Sequence, residues 1–192
     1  GVLPKIEELE WVGLFSNDKG YYLKKTSIST GRAKDEIVDE DNEISGWTVN
    51  TDNKDYCHLL INGVGRLGEG RIDSFILEKE MIWPGESSTF KTKAGTFILS
   101  ATGKIISKSE EWQEVENYKL YIERVVDNIS QKQLIVAIPR FDDAMVKIIW
   151  CGDLDKDEQP DFIIDTSYHY NMRSLSLFLS SNATEGQVLR FI

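Results

Sequence analysis

Four aspartates, Asp153, Asp155, Asp157 and Asp161, stand at positions 1, 3, 5 and 9 of the segment Asp153-Leu-Asp-Lys-Asp-Glu-Gln-Pro-Asp161. At an effective dielectric near 20, two like charges about 4 Å apart repel by roughly 4 kcal/mol, so such crowding favours a shared cation. Hard cations of flexible coordination, Ca²⁺ above all, take six to eight oxygens from a loop of this kind. The spacing predicts that Asp153, Asp155 and Asp157 converge, because every second side chain of a curled backbone turns inward. Gln159 would then offer its backbone carbonyl, and Asp161 would close the shell through both oxygens. Pro160 suits the exit, since it fixes φ and donates no hydrogen bond where the chain enters Phe162-Ile-Ile164. An EF-hand requires a bidentate acid at its twelfth position. Here that position is Ile164, so this is not an EF-hand. An acidic surface turn that never holds metal remains the alternative.

Other residues with chemical potential have simpler readings. His58 follows Cys57 on an apolar run. Neighbours on a strand point to opposite faces, which makes a poor Cys-His pair. His169 lies four residues after Asp165, in Tyr168-His-Tyr-Asn171, and together they are the only acid–base pair near the loop. A Ser167–His169–Asp165 triad would span five positions and lacks a Gly-x-Ser-x-Gly elbow. Gly63, Gly65, Gly68 and Gly70 lack the strand–loop–helix setting and the Lys-Ser/Thr pair of a phosphate loop, and read as a hairpin. The acids Asp35, Glu36, Asp39, Glu40, Asp41 and Glu43 read as a solvated loop. Cys57 and Cys151 form no Cys-x-x-Cys pair, so zinc is unsupported; two buried thiols or one disulfide are both open. Trp11, Trp47 and Trp150 sit among apolar residues and read as core, whereas Trp83 and Trp112 could be exposed stacking platforms.

The elements that must position these residues are short strands. Leu175, Leu177 and Leu179 alternate with polar or outward neighbours, as do Tyr118, Leu120 and Ile122, and Phe97, Leu99 and Ala101. Val146, Ile148 and Trp150 share a face on the run that enters the loop. Leu134-Ile-Val-Ala-Ile138 is a continuous apolar run, read as a central strand covered on both sides. Turn signals fall at Asn17–Gly20, Asn62-Gly63, Pro84-Gly85, Thr102-Gly103 and Asp127-Asn128. Ser107–Asn117 is the one segment with helical character, since Ser107 and Glu110 are spaced like a capping box; a polar hairpin loop explains it equally well. The expectation is an all-β antiparallel sandwich or barrel-like fold with at most one short helix. It would form a single domain over 1–192, with a calcium-loop hairpin around 146–180. Asn62–Gly70 is the nearest candidate hinge.

Of the 192 residues, 41% are hydrophobic and 28% charged. Both shares are ordinary for a folded protein. The net charge is −10. That balance argues against a nucleic-acid surface. No run approaches the roughly 18 apolar residues of a membrane-spanning helix. A start at Gly1-Val-Leu-Pro4 without Met reads as a trimmed mature form.

Asp-x-Asp-x-Asp-x-x-x-Asp leading into an apolar strand resembles the calcium loops of FG-GAP and VCBS-type repeats, found in integrin α-subunit propellers and many exported bacterial proteins. The resemblance covers about Val146 to Asp165, in one copy, so a propeller of four or more blades does not carry over. It implies a Ca²⁺ role for Asp153, Asp155, Asp157, Gln159 and Asp161. Those repeats usually have Gly after the third Asp, where Glu158 stands; at positive φ a non-Gly residue costs on the order of 1 kcal/mol. Trp150-Cys-Gly-Asp-Leu-Asp155 with His169-Tyr-Asn171 and Leu177–Ser181 is similar to exported bacterial proteins bearing one such loop, which implies a periplasmic, envelope or secreted address. The leading expectation is a non-enzymatic, monomeric envelope protein with a structural Ca²⁺ site. The alternatives are a hydrolase of envelope glycans or esters with the ion near its active site, and a carbohydrate- or protein-binding adhesion module.

Overall fold

Period-2 alternation governs the chain, and every strand pairing among the described residues is antiparallel. The computed structural model describes residues 5–35, 38–65, 67–109 and 112–192. Gly1–Pro4, Glu36 of the acidic run and Glu110 of the suggested capping box lie outside the described residues. The protein is all-β, with several open antiparallel sheets and, among the described residues, no closed barrel. Among the described residues the one helical element is a 3₁₀ turn, Ile6–Glu8. No helix there is long and apolar enough to cross a membrane.

The chain divides into two compact units, Gly1–Ile72 and Asp73–Ile192, just beyond the glycine-rich segment named as the nearest hinge. In the first, β1 (Trp11–Asn17), β2 (Gly20–Thr26), β3 (Ile28–Ala33), β4 (Gly46–Thr51), β5 (Tyr56–Ile61) and β6 (Gly70–Arg71) form a sheet of order β5-β1-β2-β6 and a β3-β4 hairpin. Leu14, Phe15 and Leu23 are its most buried side chains. Trp47 departs from its expected core position: on the two-stranded hairpin it is 44% exposed and carries the Arg32 guanidinium over its ring.

The second unit contains β7 (Ser87–Thr92), β8 (Gly95–Lys108), β9 (Gln113–Val126), β10 (Ile129–Arg140), β11 (Lys147–Gly152), β12 (Asp161–Asp165), β13 (Leu175–Leu179) and β14 (Arg190–Phe191). They make two sheets, β10-β9-β8-β7 and β11-β12-β13-β14, which share one core. Phe97, Leu99, Ala101, Tyr118, Leu120 and Ile122 enter it from the first sheet, on the faces the alternation predicts. Ile148, Cys151, Phe162, Ile164 and Phe178 enter it from the second, with Val146 just before β11. Phe90 and Phe162 meet edge to face with centroids 6.1 Å apart.

Of the two readings of Ser107–Asn117, the hairpin holds among the described residues: β8 and β9 pair there, Ser107 opposite Glu114. Four other local expectations are corrected. Thr102-Gly103 is no turn but a β-bulge inside β8, where register shifts between Thr102 and Lys104. A Cβ on Gly103 would press on Val115 at 2.9 Å, which explains the glycine. Leu134–Ile138 lies on the edge strand β10, not a central one; Leu134 is 44% exposed and only Val136 is buried. Its Pro139 is in keeping with an edge. On β13 the face toward the shared core belongs to Ser176 and Phe178, opposite Ile164 and Phe162; of the three leucines expected there Leu175 is exposed, Leu177 half-buried and Leu179 buried on the other face. On β11, a bulge between Ile148 and Trp150 sets Trp150 opposite Ile163 and gives the core position to Cys151, opposite Phe162. One inserted residue reverses the alternation beyond it. Trp150 is still buried, on the other face.

Asp127 and Asn128, both at positive φ, close the β9–β10 hairpin in two residues. They are the left-handed pair that a tight antiparallel turn requires.

Candidate metal centre

The aspartate loop joins β11 to β12, so its two ends are fixed by a ladder that pairs Gly152 with Asp161. Gly152 is required there. The backbone carbonyl of Asp73 and the Trp150 indole occupy the space a Cβ would need. That close approach lets Asp73–Phe75 add to the β11 edge, Asp153 N–H donating to Asp73 O at 2.9 Å and Phe75 N–H to Cys151 O at 2.8 Å. Inside the loop, Lys156 and Glu158 both adopt left-handed backbone, at φ 64° and 65°. The tight turn expected at Glu158 is therefore present without its usual glycine, and a second one precedes it. Strain of this kind collects where the surroundings over-determine a local geometry.

The structure brings Asp153, Asp155 and Asp161 together. One carboxylate oxygen from each lies within 4.8 Å of the other two. Two oxygens bound to one Ca²⁺ at about 2.4 Å can be at most about 4.8 Å apart, so the spacing admits a shared ion. Asp161 is fully buried, with Oδ1 accepting from Ser180 N–H at 2.8 Å and Ser180 Oγ at 3.0 Å, and Oδ2 from Leu154 N–H at 2.8 Å. Asp153 accepts from the N–H groups of Asp157 at 2.9 Å and Glu158 at 3.0 Å. Asp155 accepts from Ser181 Oγ through Oδ2, while its Oδ1 is buried with no hydrogen-bond partner among the described residues.

Asp157 stands apart from that trio. Its Oδ1 accepts from Gln159 N–H at 2.9 Å, and its Oδ2 shares the single Ser180 hydroxyl proton with Asp161, at 2.9 Å from Oγ. Gln159 thus enters the loop's network through its N–H.

Burial, reinforced by the charge of Asp155, pushes the Asp161 carboxyl up to about 7, against the pull of the Ser180 and Leu154 N–H groups. Burial also raises Asp153, with Asp157 and Asp155 adding to it and two backbone N–H groups opposing. A cation among these oxygens supplies the charge that the proton would otherwise supply.

Ser180 and Ser181 are the members that the aspartate spacing did not identify. They end the apolar run of β13, and two hydroxyls directly after a buried strand were the available signal. Through them the loop is tied to the far side of the β12–β13 hairpin.

The neighbouring acid–base candidates are not brought together. Asp165 accepts from Ser167 N–H and Oγ and lies 3.6 Å from Arg173 Nε. His169 Nε2 pairs instead with Asp142 at 2.9 Å, and its Nδ1 accepts from Asn171 N–H at 3.3 Å. Ser167 Oγ is spent on Asp165 and Ser174 N–H, so no triad forms. His58 meets Ser16 Oγ at 2.7 Å while Cys57 Sγ turns to Leu59 O, the opposite-face arrangement expected of strand neighbours. Both thiols are free, Cys151 buried and Cys57 half-buried. In the acidic run Asp39 caps the N–H groups of Asp35 and Ser45, at 2.8 and 2.7 Å, in an exposed loop. Comparison with protein-family models, curated proteins and solved structures finds no match to this chain.

Proposed function

We propose that the Asp153–Asp161 loop holds one Ca²⁺ and that the ion's role is structural, in a non-enzymatic exported protein of a bacterial envelope. The observation that carries the reading is Asp155 Oδ1, a buried carboxylate oxygen without a hydrogen-bond partner among the described residues, beside the oxygens of Asp153 and Asp161. An unpaired buried charge is costly, and a cation relieves it where a proton donor is missing. Oxygen-only donors favour a hard cation, and an irregular loop without octahedral demands favours Ca²⁺ over Mg²⁺. Asp153, Asp155 and Asp161 would bind directly, Asp157 would turn in from its Ser180 contact or act from behind it, and the Gln159 carbonyl would complete the shell. With the ion in place, β11, β12 and the end of β13 are cross-linked at one point.

Export is the compartment in which such a loop is useful, because calcium outside cells is plentiful enough to fill a modest site. The non-enzymatic reading is supported by the division of Asp165 and His169 between separate partners. Calorimetric titration tests the proposal: Ca²⁺ gives saturable heat in the parent chain, Mg²⁺ gives far less, and Asp155→Ala abolishes the calcium signal. Calcium heat no greater than the Mg²⁺ control ends it.

A further inference from the structure

A cavity of about 780 Å³ opens beside the tip of the β8–β9 hairpin, against the segment that follows β10. That volume is in the range of small-molecule sites. Trp112 is one of its aromatic walls, 38% exposed and yet held in place. Ser109 N–H donates to Trp112 O at 2.8 Å, Ser109 Oγ donates to the same carbonyl at 3.1 Å, and Trp112 N–H returns a bond to Ser109 Oγ at 3.1 Å. Trp83 braces the indole edge-on, with centroids 5.4 Å apart at 86°. A second ring, Tyr168, lines the cavity and is 52% exposed.

The polar lining is equally fixed. Asp142 N–H donates to Tyr168 O at 2.7 Å, Tyr170 N–H donates to Asp142 O at 2.9 Å, and the Asp142 carboxylate holds His169 at 2.9 Å. His169 also stacks on Tyr170, with centroids 4.5 Å apart. Its Nδ1 accepts a backbone N–H. Both imidazole nitrogens are engaged by neighbours, which fixes the ring as part of the cavity wall. Gln113 lines the same cavity, and its Oε1 is buried just behind that surface without a hydrogen-bond partner among the described residues. Rotation of the amide toward the cavity would present this unpaired acceptor to a ligand hydroxyl.

Charge narrows the ligand. Glu114, Asp142 and Asp143 outnumber the one permanent cation of the lining, Arg140. Phosphate, sulfate and uronate are therefore disfavoured. Carboxylate, amide and guanidinium groups around exposed aromatic faces match a molecule with flat C–H surfaces and many hydroxyls. Preorganised rings and polar groups also keep the entropic cost of binding low. We propose that this cavity is a binding site for a neutral oligosaccharide, with Trp112 as the stacking face and Gln113, Asp142 and Arg140 as hydroxyl partners.

The test titrates the full chain with neutral soluble oligosaccharides (cellohexaose, laminarihexaose, mannohexaose and chitohexaose), with oligogalacturonate as the anionic control. Tryptophan fluorescence and calorimetry are the readouts. At least one neutral sugar is expected to bind with Kd between about 10 μM and about 1 mM. Trp112→Ala should weaken it by about tenfold or more with an unchanged melting curve, and Gln113→Ala by severalfold. No binding of any neutral sugar up to about 10 mM overturns the proposal. Equal affinity in Trp112→Ala, or tighter binding of the galacturonate, overturns it too. The titration needs no calcium, so its outcome is independent of the aspartate loop.

Discussion

Asp161 is the residue on which the loop turns, because full burial makes its ionisation depend on what shares its space. In the cation-free chain its folded carboxyl takes up a proton near 7, whereas the ordinary value is 3.8, and burial is the leading cause. Between those values the folded state holds the extra proton. The contribution of this group to stability is therefore full below about pH 4 and lost as pH rises through about 7, an effect on the order of 4 kcal/mol. Chelated protein should be more stable to urea at pH 5 than at pH 8, and saturating Ca²⁺ should remove most of that difference. A chelated pH profile no steeper than that of Asp161→Asn would refute the assignment. Glu158 offers a second test at the same scale. Its φ of 65° lies in the left-handed region, and its ion pair with Lys93 spans 3.8 Å between exposed side chains. That backbone is unfavourable for any side chain. An exposed ion pair of this kind offsets little of the strain. Glu158→Gly should raise stability by about 0.5–1 kcal/mol in denaturant titration, since relief of strain exceeds the added backbone entropy.

Strands carry these residues into place, and what the sequence disclosed about them depended on local rules. Alternation alone placed Tyr118, Leu120 and Ile122, and Phe97, Leu99 and Ala101, on the core face, because each run is regular over its whole length. The same rule failed at Trp150 and at Leu175. A bulge reversed one, and pairing with Phe162 and Ile164 set the phase of the other, information that resides in the partner strand. Leu134–Ile138 resembled a central strand because composition does not reveal which strand ends a sheet. The spacing of the aspartates put all four in one loop, where Asp153, Asp155 and Asp161 gather and Asp157 turns to Ser180 instead, while Ser180 and Ser181 come from the end of another strand, marked only by two hydroxyls after a buried run. Gly152 is where element and site meet. Adding a methyl there collides with the Asp73 carbonyl and the Trp150 indole, and so separates Asp73–Phe75 from the β11 edge. Gly152→Ala should cost about 1–3 kcal/mol by the overpacking rule and weaken calcium binding with it. An unaltered unfolding midpoint and an unaltered calcium titration would show that the edge segment does not set the loop.

For the molecule as a whole, a net charge of −10 and a loop strained at two positions both work against the fold when no cation is present. A ligand that binds only the native state adds RT ln(1 + [L]/Kd), about 2.7 kcal/mol at a hundredfold excess over Kd. For a chain of this size that corresponds to a rise in melting temperature of about 5–10 °C. The gain should be local in origin. The proposed ion would cross-link β11, β12 and the end of β13, and Phe162, Ile163, Ile164 and Ser180 surround Asp161 in the ladder and its hydrogen bonds. Amide hydrogen exchange should therefore slow most at those four residues. Strands β1 and β2 of the first unit carry none of the proposed ligands and should exchange at the same rate with and without calcium. General screening of the negative surface would act differently: it would protect both units alike, and magnesium or potassium at equal ionic strength would reproduce it. Calcium-specific protection centred on β12, together with a melting shift lost in Asp155→Ala, is the expected pattern. Uniform protection that magnesium reproduces would reduce the loop to one more acidic turn on an acidic protein.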